Sequence, residues 1–180
     1  MCYLCEGNNV MKKYTMLYIT LAAIVVNFSF VMVQAGEDEP ILKRGARSSA
    51  ELSEAFFNSI RQNDFSMLRN YIPEQTEMEY FRKSCNIIQK PLCESIDGEE
   101  LKLNTEANYK KLVQKGIEKE INWSQIELID RKIIEDPKNS LRSKVLLGVQ
   151  DMKGKTMNMS FDVIQIKDKY FIFQGIRAED

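Results

Sequence analysis

LRSKVLLGVQDMKGKTMNMSFDVIQIKDKYFIFQGIR, residues 141–177, is the stretch whose reading decides the fold. Leu141, Ser143, Val145, Leu147 and Val149 alternate with Arg142, Lys144 and Gln150, the pattern of a half-buried strand. Asp151 to Lys155, with Gly154, reads as a hairpin loop. Met157, Met159, Phe161 and Val163 then share one face of a second strand, and Ser160 and Asp162 fall on the other, which reads as solvated. Lys167-Asp168-Lys169 turns the chain again, and Tyr170 to Ile176 is the last strand. Strands joined by such short turns form an antiparallel meander.

Working upstream, Asp136-Pro137-Lys138-Asn139 is another turn, and Ile121, Trp123, Ile126 and Leu128 begin the strand before it. Earlier still the apolar period is three to four. Ser48-Ser49-Ala50-Glu51 is a capping box, and Leu52, Phe56, Phe57 and Ile60 fall on one helical face. Asn63-Asp64 breaks that helix, and Phe65, Leu68, Tyr71 and Ile72 give a second one its apolar side before Pro73. Glu74 to Ser84 predicts a further helix, with Met78, Phe81 and Cys85 on one side. Asn86 to Gly98 reads as a loop, and Thr105 as the opening of a helix whose buried stripe is Tyr109, Leu112, Val113 and Ile117. Lys110, Lys111, Lys115 and Lys119 alternate with Glu106, Glu118 and Glu120, which a solvated face explains without any ligand. Helices first and an antiparallel meander after them predict an α+β layer fold, with residues 48–180 as its single domain.

The N-terminal part reads as targeting sequence. Lys12 and Lys13 precede an apolar run from Met16 to Val33, and Val33-Gln34-Ala35 followed by Gly36-Glu37 fits cleavage between Ala35 and Gly36. Residues 1–35 are therefore expected to be a signal peptide and 36–47 a flexible leader, with the domain exported to a periplasm or the cell exterior. The rival is an uncleaved signal anchor, which would be the chain's one tie to a membrane. Cys2-x-x-Cys5 resembles a redox or metal half-site. It lacks a second such pair, and a start at Met11 would leave residues 1–10 unmade.

Composition excludes several function classes. With no histidine among 180 residues, Ser-His-Asp and Cys-His nucleophiles are ruled out and most zinc sites lose their usual ligand. A net charge of −1 provides no surplus to neutralise phosphates, so no nucleic-acid partner is expected, and neither a metal nor a cofactor is. Cys85 and Cys93 flank Pro91, and export would join them as a disulfide, whereas two buried thiols are the alternative.

The segment AELSEAFFNSIRQNDFSMLRNYI (50–72) resembles the opening helix pair of the nuclear-transport-factor-2-like superfamily, with Asn63-Asp64-Phe65 as the joint. The ending MNMSFDVIQIKDKYFIFQGIR (157–177) resembles that superfamily's last hairpin. The resemblance implies a cystatin-like cone, in which helices pack on a curved antiparallel sheet around a cavity. Phe56, Tyr71, Phe81, Trp123, Met159 and Phe161 would line such a cavity. Superfamily members include isomerases, dehydratases, small-molecule binders and dimerisation modules. The leading expectation is a non-catalytic exported domain that binds a small apolar or amphipathic ligand, or a partner protein of the cell envelope. The enzymatic alternative needs a buried carboxylate, drawn from Glu127, Asp130 or Asp162, with Tyr80 or Tyr170 as hydroxyl partner. A third reading, a structural module or homodimer, would be marked by exposed apolar sheet surface.

Overall fold

A computed structural model describes residues 42–85 and 97–179. The expected signal segment, the cleavage expected between Ala35 and Gly36, Cys2, Cys5 and Cys93 lie outside the described residues. The fold is α+β: helices packed on an open, curved, four-stranded antiparallel sheet. Helix α1 spans Ser49–Gln62, a 3-10 helix follows at Phe65–Tyr71, α2 is Gln75–Ser84 and α3 is Gly98–Glu118. A 3-10 turn at Trp123–Gln125 leads into β1 (Ile126–Asp136), β2 (Asn139–Asp151), β3 (Thr156–Ile166) and β4 (Lys169–Glu179). The strands lie side by side in chain order.

Local chemistry sets the helix ends. The backbone N–H of Glu51 donates to Ser48 Oγ at 3.1 Å, and Glu51 reaches back to the N–H of Arg47. Asn63 takes a left-handed conformation that ends α1, and Asp64 accepts from the N–H of Ser66 to start the 3-10 helix. Glu74 and Glu77 form a reciprocal capping box on α2.

Three expectations about these elements need correction. Helix α3 begins at Gly98, capped by Asp97, and Thr105 sits inside it with its hydroxyl bonded to the Leu101 carbonyl. Ile117 is solvent-exposed, and Gly116 is the buried position beside it. Ile121 and Trp123 precede β1 rather than alternating within it.

The segment before Ser48, assigned above to a leader, is packed on the domain from Leu42 onward. Ala46 and Tyr170 exchange two backbone hydrogen bonds of 2.9 Å, which adds one bridge beside β4. Gly45 has φ +90°, and a Cβ there would lie 2.6 Å from the Phe171 ring, so the chain passes this point only as glycine.

The sheet is buried on both faces at one end. Phe161 and Val163 of β3 join the cluster under α1 and α3, with Phe56, Tyr109, Leu112 and Ile172. Their neighbours Ile164 and Ile166 join Phe171, Phe173, Met78, Phe81, Leu101 and Leu42 in a second cluster. Alternation puts these two sets on opposite faces. The face expected to be solvated is therefore covered at the β3–β4 turn, and Ser160 is also buried. Register shifts at Leu128/Asp130 and between Ser160 and Val163 break the ladders, and bulges of this kind bend a sheet.

Candidate functional site

The six residues expected to line a cavity do not converge on one. Phe56, Trp123, Met159 and Phe161 belong to the first cluster, with Tyr71 half-buried against it. Phe81 belongs to the second. The Phe56 and Phe161 rings stand 4.4 Å apart, and Tyr109 meets Phe56 edge-on at 6.5 Å. Such spacings are those of rings in direct contact. The indole N–H of Trp123 donates to the Val113 carbonyl at 3.0 Å, which fixes the ring under α3. Burial pushes the Tyr109 hydroxyl up to about 12, and it donates to the Ser59 carbonyl at 2.7 Å. It stays a neutral anchor between α3 and α1.

The carboxylates named for the enzymatic reading are dispersed. Glu127 and Asp130 are exposed, and Asp162 is half-buried with Arg142 at 3.6 Å. Tyr80 and Tyr170 are half-buried at other places in the fold. Where a carboxyl group is displaced from its ordinary value, the direction is downward. The hydrogen bond from Lys144 first, then that from Ser160, holds Glu179 at about 2. Burial raises Asp151, but the backbone N–H groups of Lys155, Asn122 and Lys153 outweigh it and hold the group low. These groups are fixed as anions by their partners, the opposite of a carboxyl poised to take a proton near neutrality. Among the described residues no cluster of three or more His, Cys, Asp or Glu side chains is placed to hold a metal. No described helix is long and apolar enough to cross a membrane.

Two of the surface depressions among the described residues exceed 300 Å³. One of about 360 Å³ lies between α3 and β4, lined by Asn104, Thr105, Asn108, Gln174 and Gly175. The other, about 330 Å³, lies on the sheet face away from α1, lined by Lys132, Lys144, Gly148, Asn158 and Glu179. None of the six expected lining residues borders either. The second is neutralised from within: Glu179 takes Lys144 at 2.7 Å, Arg177 at 3.2 Å and the Ser160 hydroxyl.

Strand β1 differs from the rest of the sheet. Ile126 is buried and Leu128 is half-buried, but beyond the bulge the strand leaves the core. Ile129, Ile133 and Ile134 are 53%, 43% and 50% exposed. The pairing with β2 places Ile133 opposite Val145 and Ile134 opposite Lys144, so the two isoleucines project from opposite faces. Among the described residues nothing pairs with the outer edge of β1. Sequence reasoning missed this site. The adjacent pair Ile133-Ile134 reads as a strand buried on both faces, and only topology reveals that it is an edge.

The chain matches no known protein-family model, no curated protein and no solved structure.

Proposed function

We propose that this chain is a non-catalytic, exported protein whose folded domain docks a partner protein along the free edge of β1. The observation that carries the reading is the exposure of Ile129, Ile133 and Ile134 on an edge strand whose outer backbone has no described partner. An edge strand offers unpaired N–H and C=O groups, and natural proteins ordinarily cover it or keep it short and charged. Here the strand runs for 11 residues with three large apolar side chains in water.

The small-ligand expectation has less support, since its six residues pack against one another or against their own clusters. Export rests on the sequence features before Gly36. The opening helix pair and the curved sheet support membership of the nuclear-transport-factor-2-like superfamily as part of the same proposal.

A photoactivatable amino acid placed at Ile134 in the producing cell tests the reading, with the same probe at the more exposed Met152 as control. Discrete adducts at Ile134 and none at Met152 are expected. Equal labelling at both positions would overturn the docking reading. Native mass spectrometry of the exported chain should show no retained small molecule, and an extra mass lost on denaturation would restore the ligand reading.

A further inference from the structure

We infer that the partner at the β1 edge is a second copy of this chain, paired antiparallel about a two-fold axis at Ile133. The inference rests on the docking reading above and adds the occupant and its register.

The length of free strand limits the register. The bulge between Leu128 and Asp130 interrupts the ladder at one end, and the shift between Glu135 and Asp136 does so at the other. Between them runs Asp130-Arg131-Lys132-Ile133-Ile134-Glu135, whose two central residues are Lys132 and Ile133. A two-fold axis normal to the sheet keeps each face in register only if paired positions share parity. An axis through Ile133 satisfies this and pairs Arg131 through Glu135, with Asp130 and Asp136 opposed only at the two ends, beside the existing register shifts.

The side chains suit that register. Ile133 meets Ile133 of the second copy on the α1 face, burying two apolar groups now in water. On the same face Arg131 meets Glu135 of the second copy, and Glu135 meets the second copy's Arg131, so two opposite-charge pairs flank the apolar contact. Directly opposed pairs of this kind are the unit of sheet stabilisation. Arg131 already extends along this face, where its Nη1 reaches Ser53 Oγ at 3.2 Å. On the other face Lys132 meets Ile134, so its stem lies over the isoleucine while its amine stays in solvent.

Neighbouring registers are worse. An axis at Lys132 sets that lysine against itself and buries Ile134 against Asp130. An axis at Ile134 sets Ile133 against Glu135 and brings Pro137, which has no N–H to give, into the ladder. At the central positions the charges therefore favour one register of this strand with itself, and the Asp130–Asp136 pairs at its ends oppose it.

Disulfide capture in the full chain tests the inference, because paired Cβ atoms of a strand dimer are about 5 Å apart. Ile133→Cys is introduced into cells that make the full chain and treated with a mild oxidant. Ile117→Cys and Met152→Cys, both exposed elsewhere, are the controls. The expected result is a reducible species of twice the chain mass from Ile133→Cys and little from either control. Arg131→Glu or Glu135→Arg in the same background should lower that yield roughly tenfold, and the two together should restore it. Because Arg131 also touches α1, each variant is checked for resistance to proteolysis, and rescue by the double swap excludes simple misfolding. A dimer yield from Ile133→Cys no higher than the controls, or failure of the double swap to rescue, overturns self-pairing. If Ile134 photoadducts then carry a different chain's mass, the docking reading survives. If there are no adducts either, both fail.

Discussion

Gly116 and Trp123 are in contact without a spare atom between them: a Cβ on Gly116 would lie 1.9 Å from indole Cζ2 and 2.4 Å from Cε2. The ring cannot swing aside cheaply, because its N–H is bonded to the Val113 carbonyl one turn earlier on α3. Gly116→Ala should therefore destabilise the domain even though alanine favours a helix by about 1 kcal/mol. Overpacking of this kind costs about 1–3 kcal/mol. A lower urea midpoint and red-shifted emission from the chain's one tryptophan are expected. An unchanged midpoint would mean that the ring relaxes freely and is not a fixed part of the core.

Arg44 ties residues 42–47 to the start of α2. Its Nη1 lies 2.9 Å from Glu74 and 3.4 Å from Glu77, and its Nη2 donates to the carbonyls of Ile72 and Arg69. Glu77 is nearly fully buried, so Arg44→Ala removes its guanidinium partner and leaves it the backbone N–H of Glu74 as a donor. A loss of about 2–3 kcal/mol is expected, the low side for a buried pair because the guanidinium is partly solvated. Arg44→Lys should recover only part of it, since an ammonium cannot span the two carbonyls and the carboxylates at once. Equal stability of the alanine variant and the unsubstituted protein would show that this segment is not integral to the domain.

How much of this was legible varies with the physics involved. The hairpins at Asp151–Lys155 and Lys167–Lys169 could be read because turn chemistry and period-two alternation are local. The start of α3 could not. Its first turns face the second cluster through Leu101, while Leu103 is exposed, so the apolar stripe a reader looks for begins only at Thr105. The coverage of the far face of β3 and β4 did leave a signal: the runs Val163-Ile164 and Phe171-Ile172-Phe173 are apolar on both parities, which marks a strand buried on both sides. Ile133-Ile134 carries the same signal and is exposed. No local pattern separates the two cases, because whether a strand is central or at an edge is decided by elements far away in sequence. A cavity lining could not be told from core for a related reason, since the two have the same composition.

Glu179 gives the domain an acid-sensitive contact. Lys144 first, then Ser160, lowers the folded carboxyl from an ordinary 4.5 to about 2. The unfolded chain therefore binds this proton more readily than the folded one. The sign follows: the contribution is complete above pH 4.5 and is lost as the pH falls through that window toward 2. Urea midpoints measured across this range should fall more steeply for the unsubstituted protein than for Glu179→Gln, and the two curves should approach each other at the acid end. Added salt should shrink the difference, because the group is partly exposed. Parallel curves would mean that the Lys144–Glu179 pair is not stabilising.

Cys85 closes α2, with its N–H bonded to the Arg82 carbonyl at 3.3 Å, and it packs half-buried against the second cluster. It is disulfide-bonded, and its partner lies outside the described residues. Cys93 is the partner we propose, because seven residues between the two allow a short closed loop. Cys2 and Cys5 would be absent from a chain cleaved after Ala35. Protein recovered from an oxidising compartment should weigh two hydrogens less than its reduced form and resist alkylation until reduced. Cys93→Ser should make Cys85 alkylatable and lower stability by about 2–3 kcal/mol, the expectation for a short loop. The effect arises mainly in the unfolded chain, so it should appear in the unfolding midpoint while the β1 cross-links stay unchanged. Ready alkylation of Cys85 in unreduced protein, or a Cys93→Ser variant in which Cys85 is still protected, would reject this pairing. The second outcome would point to a cysteine before the apolar segment, and with it to a chain that keeps its N-terminus.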